Sequence, residues 1–314
     1  MDGLEFALRY PFSESAKLYI KDLSLNERIV ELGVERIKKA LTEKSAPRML
    51  LHESDKKEEI ASFAAARMIL GHLRNSFLTN RFAVNESKMV RAHLDHDDQQ
   101  IVNEVGTLFC IATKNNLIDL PTYLRYSLRN PHYRLINRKL FSGFVEITPD
   151  EKKRLIEEAV KKHVESIPVV KDPPDIIKKA GERLIAEIPK SESKVIINVE
   201  SHPPCVARLF EEVEKHNNLP HHARWFLATY LIGIGMTEDQ ITSIYSNLPD
   251  FSEKITRYQI SHAKKKGYSI PSCSTIMTYG LCCAVCRIGS PINWAGLKTE
   301  KPKEAGKSVG GVRQ

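Results

Sequence analysis

Three hundred and fourteen residues, 42% hydrophobic and 27% charged, make a globular chain with room for two domains; 15 Gly and 16 Pro are near average use and exclude collagenous and low-complexity classes. The longest mostly apolar run, Phe226 to Met236, is about half the ~20 residues of a membrane span, and the acidic start Met1 to Glu5 lacks the basic region of a signal peptide, so a location inside the cell, away from the membrane, is expected. The net charge of +8 is unevenly placed: Lys254 to Gln314 holds eleven Lys and Arg against Glu300 and Glu304, which leaves the first 253 residues at −1. A positive excess confined to one end suits a polyanionic partner, although a solvated basic tail has the same composition.

In chain order, Ser24 to Glu27 is a capping-box pattern that opens a helix with Ile29, Leu32, Ile37 and Leu41 on one face. Helical spacing of Ile60, Phe63, Met68 and Leu73 predicts a second helix over 54–78, and a third is expected from Gln100 to Lys114. Leu140 to Ile147 has strand-type residues, and Thr148-Pro149-Asp150-Glu151 starts another helix with Pro at its first position. Pro168, Pro173, Pro174 and Pro189 mark a junction, with a helix surviving near Asp175 to Ile188. Helices are then expected from Pro204, from about Pro220 to Gly233, and from Thr237, where a second capping box lies. The expected fold class is mainly α: a helical N-terminal domain with a small α+β portion over 1–165, a Pro-rich junction over 166–195, a helical C-terminal domain over 196–297, and a basic disordered tail over 298–314.

Cysteines are as lopsided as the charge. Cys273, Cys282, Cys283 and Cys286 fall within fourteen residues, Cys205 stands upstream and Cys110 is isolated. Clustered cysteines in a reducing compartment bind metal more often than they pair. A zinc ribbon uses two short knuckles, whereas this sequence has one short pair plus single thiols, a spacing equally suited to an iron–sulfur cluster. Spacing alone leaves zinc and the cluster both open.

Several blocks then coincide. Pro203-Pro204-Cys205, Asn218 to Arg224, Leu231 to Met236, Tyr268 to Cys273, Tyr279 to Cys282, Cys286 and Ser290 to Trp294 together resemble the iron–sulfur domain of the archaeal and eukaryotic DNA primase large subunit. Arg9-Tyr10-Pro11-Phe12 is similar to that family's archaeal N-terminus, which extends the resemblance to the whole chain. The resemblance implies a 4Fe-4S cluster on Cys205, Cys273, Cys282 and Cys286; Cys283, next to Cys282, is the alternative ligand. It implies a non-catalytic regulatory subunit in DNA replication, cytoplasmic and nucleoid-associated. Such a subunit forms a heterodimer with a small catalytic subunit that polymerises the RNA primer. It also binds single-stranded template DNA, the initiating nucleotide, and an RNA–DNA primer with a 5′-triphosphate.

The residues are compatible with that role. His221, His222 and Arg224 open an apolar helix, where cationic donors are costly unless exposed at a functional surface. Tyr258 and His262, followed by Lys264, Lys265 and Lys266, combine an aromatic ring with hydrogen-bond donors and charge, a pattern for base stacking and phosphate contact. The family's template and nucleotide contacts map onto His221, Arg224, Tyr258 and His262, while Pro220 stands where the eukaryotic proteins carry a basic residue. Structural readings compete: Arg224 pairing with Glu211 or Glu212, Tyr258 as core, and the three lysines as a solvated turn.

His93 and His96 with Asp95, Asp97 and Asp98 have metal-binding residue types, but three adjacent acids cannot share one helix face, so an acidic surface is expected. Gly233-Ile234-Gly235 lacks the rest of a dinucleotide loop, and neither a phosphate-binding P-loop nor a Ser nucleophile elbow occurs. The rival functions are a stand-alone iron–sulfur DNA-repair enzyme and a zinc-stabilised nucleic-acid-binding module.

Overall fold

Short polar residues placed at helix starts set the element boundaries of this chain. The computed structural model describes residues 1–41, 50–113, 116–128, 131–167, 170–188 and 201–294. The expected tail over 298–314 and the end of the junction, 189–195, lie outside the described residues.

Ser13 accepts the Ala16 N–H and starts α2 (Glu14–Ile20) just after α1 (Gly3–Arg9), two seven-residue helices too short for periodicity to register. α3 (Glu27–Leu41) is capped by Asn26, whose side chain accepts the Ile29 N–H at 2.9 Å, so the cap lies two residues after the expected Ser24. The single helix expected over 54–78 is two. α4 (Glu53–Leu73) ends at Arg74 in the left-handed region (φ 50°), and Asn75 caps α5 (Ser76–His96) by accepting the Leu78 N–H at 3.1 Å. Apolar spacing runs through this break because both helices feed one core, with Phe63 and Phe82 rings stacked 6.1 Å apart. α6 (Gln99–Thr107) stops earlier than expected: the Ile111 N–H turns back to the Gly106 carbonyl at 2.8 Å and Cys110 adopts φ 60°.

β1 (Leu117–Asp119), α7 (Leu120–Tyr126), β2 (Leu140–Phe141) and β3 (Phe144–Glu146) form the small α+β portion, with antiparallel sheet order β1-β3-β2. The expected strand over Leu140 to Ile147 is a tight hairpin, because Ser142 (φ 45°) and Gly143 (φ 86°) supply the two positive-φ residues of a two-residue turn. Val145 is the buried centre of β3, paired with Ile118 and Leu140. Thr148 and Glu151 form the expected capping box at the start of α8 (Pro149–Glu165). Within the Pro-rich stretch, α9 (Asp175–Glu187) buries Ile177, Ala180 and Leu184 in the same core as α3 and α4. Pro173 and Pro174 immediately precede this helix, Pro174 as its cap residue.

A second core gathers Cys205, Phe210, Phe226, Leu231, Ile260 and Leu281, among others, from α10 (Pro204–Glu214), α11 (His221–Gly233), α12 (Glu238–Tyr245), α13 (Glu253–Lys266) and α14 (Cys273–Thr278). The fold is therefore mainly α with a small α+β portion, as the sequence implied. Among the described residues no helix is long and apolar enough to cross a membrane.

The cores meet at the start of α5. Arg81, only 9% exposed, donates to the Phe251 carbonyl at 3.0 Å and the Ser246 carbonyl at 3.4 Å, and its guanidinium lies 5.4 Å from the Phe77 ring centroid and 5.7 Å from that of Phe251. Beside it the Asn80 amide donates to the His216 carbonyl at 2.8 Å.

Candidate metal centre and nucleic-acid interface

Backbone geometry brings the scattered thiols together. Pro203 and Pro204 pre-set the first turn of α10, which buries Cys205 to 8% exposure. Ser272 caps α14, whose first residue Cys273 donates its N–H to the Gly289 carbonyl at 2.9 Å and so ties the end of the cysteine loop back to its start. Gly280 and Gly289, both at φ 70°, make the turns on either side of Cys282 and Cys286. The sulfurs of Cys282 and Cys286 lie 3.3 and 3.8 Å from one acceptor, the Ala284 carbonyl. From α10, one turn past Cys205, Arg208 donates to the Leu281 carbonyl at 3.1 Å and the Gly280 carbonyl at 3.4 Å, pinning the loop to the helix that bears Cys205.

All these thiols are free. Burial pushes the Cys205 thiol up to about 12, and the neighbouring Cys283, Cys282 and Cys286 add to it. Cys273, Cys283 and Cys286 are also raised, first by burial and then by one another or by Cys282. Five cysteines thus share one electrostatic neighbourhood, whereas Cys110 is exposed after α6. Among the described residues, no three His, Cys, Asp or Glu side chains stand in metal-holding geometry. Four or five soft sulfur donors from one helix, one helix start and one loop nevertheless fit an iron–sulfur cluster or zinc by donor chemistry. Cys283 is exposed and the adjacent Cys282 half-buried, and both remain candidates beside the other three thiols.

A cleft of about 1210 Å³ opens between the two cores, with His221, Arg224, Tyr258 and His262 on its second-core side. Tyr258 is 69% exposed, which removes the core reading. One turn separates it from His262 on α13, so their rings stack with centroids 6.0 Å apart and planes 28° apart. Tyr268 continues the series, 6.0 Å from His262 and 6.3 Å from Trp225. Exposed His221 begins α11; His222 turns its ring toward Tyr279 at 5.2 Å and thereby links the cleft to the cysteine loop. Burial first, then Arg134 and His221, lowers the His222 pKa.

Arg224 does not pair with Glu211 or Glu212. Its guanidinium bonds Asp250 at 2.6 Å, donates to the Leu219 carbonyl at 2.8 Å and meets Asn218. Lys264, Lys265 and Lys266 are exposed in the last turn of α13, outside the cleft lining, where cations complement the helix dipole. The acids at the end of α5 and just after it have structural duties: Asp95 pairs with Arg91 within the helix, Asp97 accepts from Arg9 at 2.6 Å and from the Tyr10 hydroxyl at 2.5 Å, and Asp98 caps α6. That contact explains the Arg9-Tyr10 pair near the start, since it locks α1 onto the end of α5. Sequence reasoning missed Asp250 and the first-core side of the cleft, where Lys88, Arg154, Glu158, Lys161 and Lys162 lie on ordinary amphipathic helices with no motif to mark them.

Residues 196–301, which contain the five clustered cysteines and the second-core side of the cleft, match the family model of the C-terminal domain of the eukaryotic and archaeal DNA primase large subunit. Over 90% of this chain and 84% of the relative, the sequence is 32% identical to the DNA primase large subunit PriL of Methanocella arvoryzae. The chain belongs to the DNA primase large subunit family. Similarity to PriL of Archaeoglobus fulgidus is 31% identity over 75% of this chain and 67% of the relative. For PriL of Methanosarcina mazei it is 29% over 97% and 91%. The alignments to these archaeal primase large subunits extend well outside 196–301, so membership in the family takes in the first core as well.

Proposed function

We propose that this chain is the non-catalytic regulatory subunit of a DNA primase in DNA replication. It binds template DNA and the initiating nucleotide, and modulates RNA primer synthesis by a small catalytic subunit with which it forms a heterodimer. The observation that carries the reading is the ladder of Tyr258, His262 and Tyr268 along an open cleft, next to the thiol loop through His222 and Tyr279. Exposed aromatic rings in a row accept bases of any sequence, as a subunit that initiates at many sites requires. In this reading exposed His221, with Arg224 on the same cleft lining, serves the 5′-triphosphate.

In this reading Cys205, Cys273, Cys282 and Cys286 hold a 4Fe-4S cluster. When bound, the cluster supplies iron–thiolate cross-links that fix α10, α14 and the loop to one another. Arg208 and the Cys273 N–H orient the same loop from the protein side. On the first core, Leu140, Phe141 and Phe144 of the hairpin, with Leu124 and Ile136 nearby in sequence, are large apolar side chains between 45% and 89% exposed. Apolar exposure on that scale suits a protein partner, here the small subunit.

Priming by the small subunit with and without this chain, on single-stranded template, tests the reading. The chain is expected to raise initiation and change product length. Identical products in both reactions would overturn it. Purification without air, followed by absorption and iron analysis, tests the cluster: a colourless protein with one zinc would replace it with a zinc site.

A further inference from the structure

The second side of the cleft is built by the first core. α5 supplies Lys88, and α8 supplies Arg154, Glu158, Lys161, Lys162 and Glu165. The α8 residues recur at intervals of three and four along one helix face, while Leu155, Ile156, Ala159, Val160 and Val164 fill the core from the other. On α5, Lys88 lies two turns beyond Arg81 and shares its face, so the face that docks onto the second core runs on into the cleft.

The cations on this wall outnumber the acids by two. Lys88 is exposed and makes no hydrogen bond or ion pair among the described residues. Lys161 pairs with Glu165 at 3.3 Å and Arg154 pairs with Glu157, both within α8. These pairs are partly buried, at 38% and 11% exposure for Arg154 and Glu157 and 18% and 29% for Lys161 and Glu165, and a phosphate, with its strong charge-assisted bonds, competes with the carboxylate for the cation. Lys162 is already engaged, bound to the Arg125 carbonyl with its ammonium packed 5.6 Å from the Tyr126 ring centroid. The cleft's 1210 Å³ exceeds the roughly 300–1,000 Å³ of small-ligand sites and suits a length of polymer.

We propose that the wall of α5 and α8 is a second phosphate-binding surface, so that a single strand of nucleic acid is held between the two cores. Its bases stack on Tyr258, His262 and Tyr268, and its backbone phosphates meet Lys88, Arg154 and Lys161. The proposal rests on the reading of the α13 side as a nucleic-acid surface and adds a wall outside the 196–301 match. Glu158, in the same stripe, opposes the phosphates, and this sets the sign of a gain-of-binding variant.

The test is fluorescence anisotropy of the full chain with a labelled single-stranded oligothymidylate over a salt series. Removing one cation–phosphate interaction lowers the slope of log K against log salt by about 0.7 on a single strand, so K88Q/K161Q is expected to lower it by up to about 1.4. E158Q is expected to bind more tightly at low salt, an outcome misfolding does not imitate. Y258A, on the other wall, is expected to weaken binding about tenfold. If Y258A weakens binding while K88Q/K161Q and E158Q match wild type, the second wall is overturned and the α13 reading stands. If wild type does not bind, or no variant differs, both fall. If the double variant melts early, E158Q decides alone: tighter binding supports the wall and unchanged binding overturns it.

Discussion

The Nη2 atom of Arg224 lies 2.7 and 2.6 Å from the two carboxylate oxygens of Asp250, which fastens the segment before α13 to the first turn of α11. Both side chains are mostly buried, at 24% and 19% exposure, so the pair has a structural duty whatever it does with phosphate. Arg224→Ala is expected to leave Asp250 and the Leu219 carbonyl short of a donor and to cost about 2 kcal/mol in urea unfolding. Asp250→Asn separates the two roles. If Arg224 also serves a 5′-triphosphate, releasing it from Asp250 raises affinity for triphosphate-ended over hydroxyl-ended strands. Unchanged preference in Asp250→Asn would assign Arg224 to structure alone.

Cys273→Ser and Cys283→Ser form a second comparison. A ligand supplies folding energy, because the metal-bound state exists only in the folded domain. Cys273→Ser is expected to lose iron and lower the melting temperature of the second core, whereas Cys283→Ser keeps both if Cys282 is the ligand. Iron content and circular dichroism melting read the two outcomes. Iron retained in Cys282→Ser and lost in Cys283→Ser would move the ligand by one residue.

Arg208 gives a prediction that spacing could not have suggested. It sits three residues after Cys205 and holds the Gly280 and Leu281 carbonyls, immediately before Cys282. Arg208→Ala is expected to slow iron uptake during reconstitution and to raise proteolysis at Leu281 to Cys286, while Arg208→Lys recovers part of the wild-type rate, since a single nitrogen, Nη2, meets both carbonyls and an ammonium also carries several donors, on a shorter stem. Equal uptake rates in all three proteins would remove Arg208 from loop positioning.

These cases show what was legible in the chain and why. Capping boxes at Thr148 and Thr237 read correctly, because their hydrogen bonds are local and written within four residues. Tyr258 and His262 were likewise visible, since one helical turn forces their rings together. The break at Arg74 was not, because an αL residue other than Gly carries no strong sequence mark. Asp250 as the partner of Arg224 and Asp97 as the partner of Arg9 and Tyr10 are contacts across 26, 88 and 87 positions, which only tertiary packing decides. The α8 wall hid for another reason: its charges look like any solvated helix face until a second core stands opposite.

At the start of α8, Glu151 titrates well below the usual carboxylate range. Burial alone would raise its carboxyl, but Arg138 at 2.6 and 2.7 Å, the Thr148 N–H and His132 outweigh it and bring the pKa from 4.5 down to about 2. The folded pKa is depressed, so the stabilisation is fully present above pH 4.5 and is lost as pH falls toward 2. That difference corresponds to about 3 kcal/mol at neutral pH. Glu151→Gln keeps the capping box, for which Gln also serves, yet cannot titrate. Its urea stability is therefore expected to be lower at pH 7 and to decline less between pH 4.5 and pH 2. Glu158 carries the opposite sign, because burial raises its pKa and protonation relieves the penalty as pH falls. Glu158→Gln is thus expected to gain stability at neutral pH and to fall more steeply in acid. Parallel pH curves for wild type and Glu151→Gln would show that the Arg138 pair does not contribute to the loss of stability in acid.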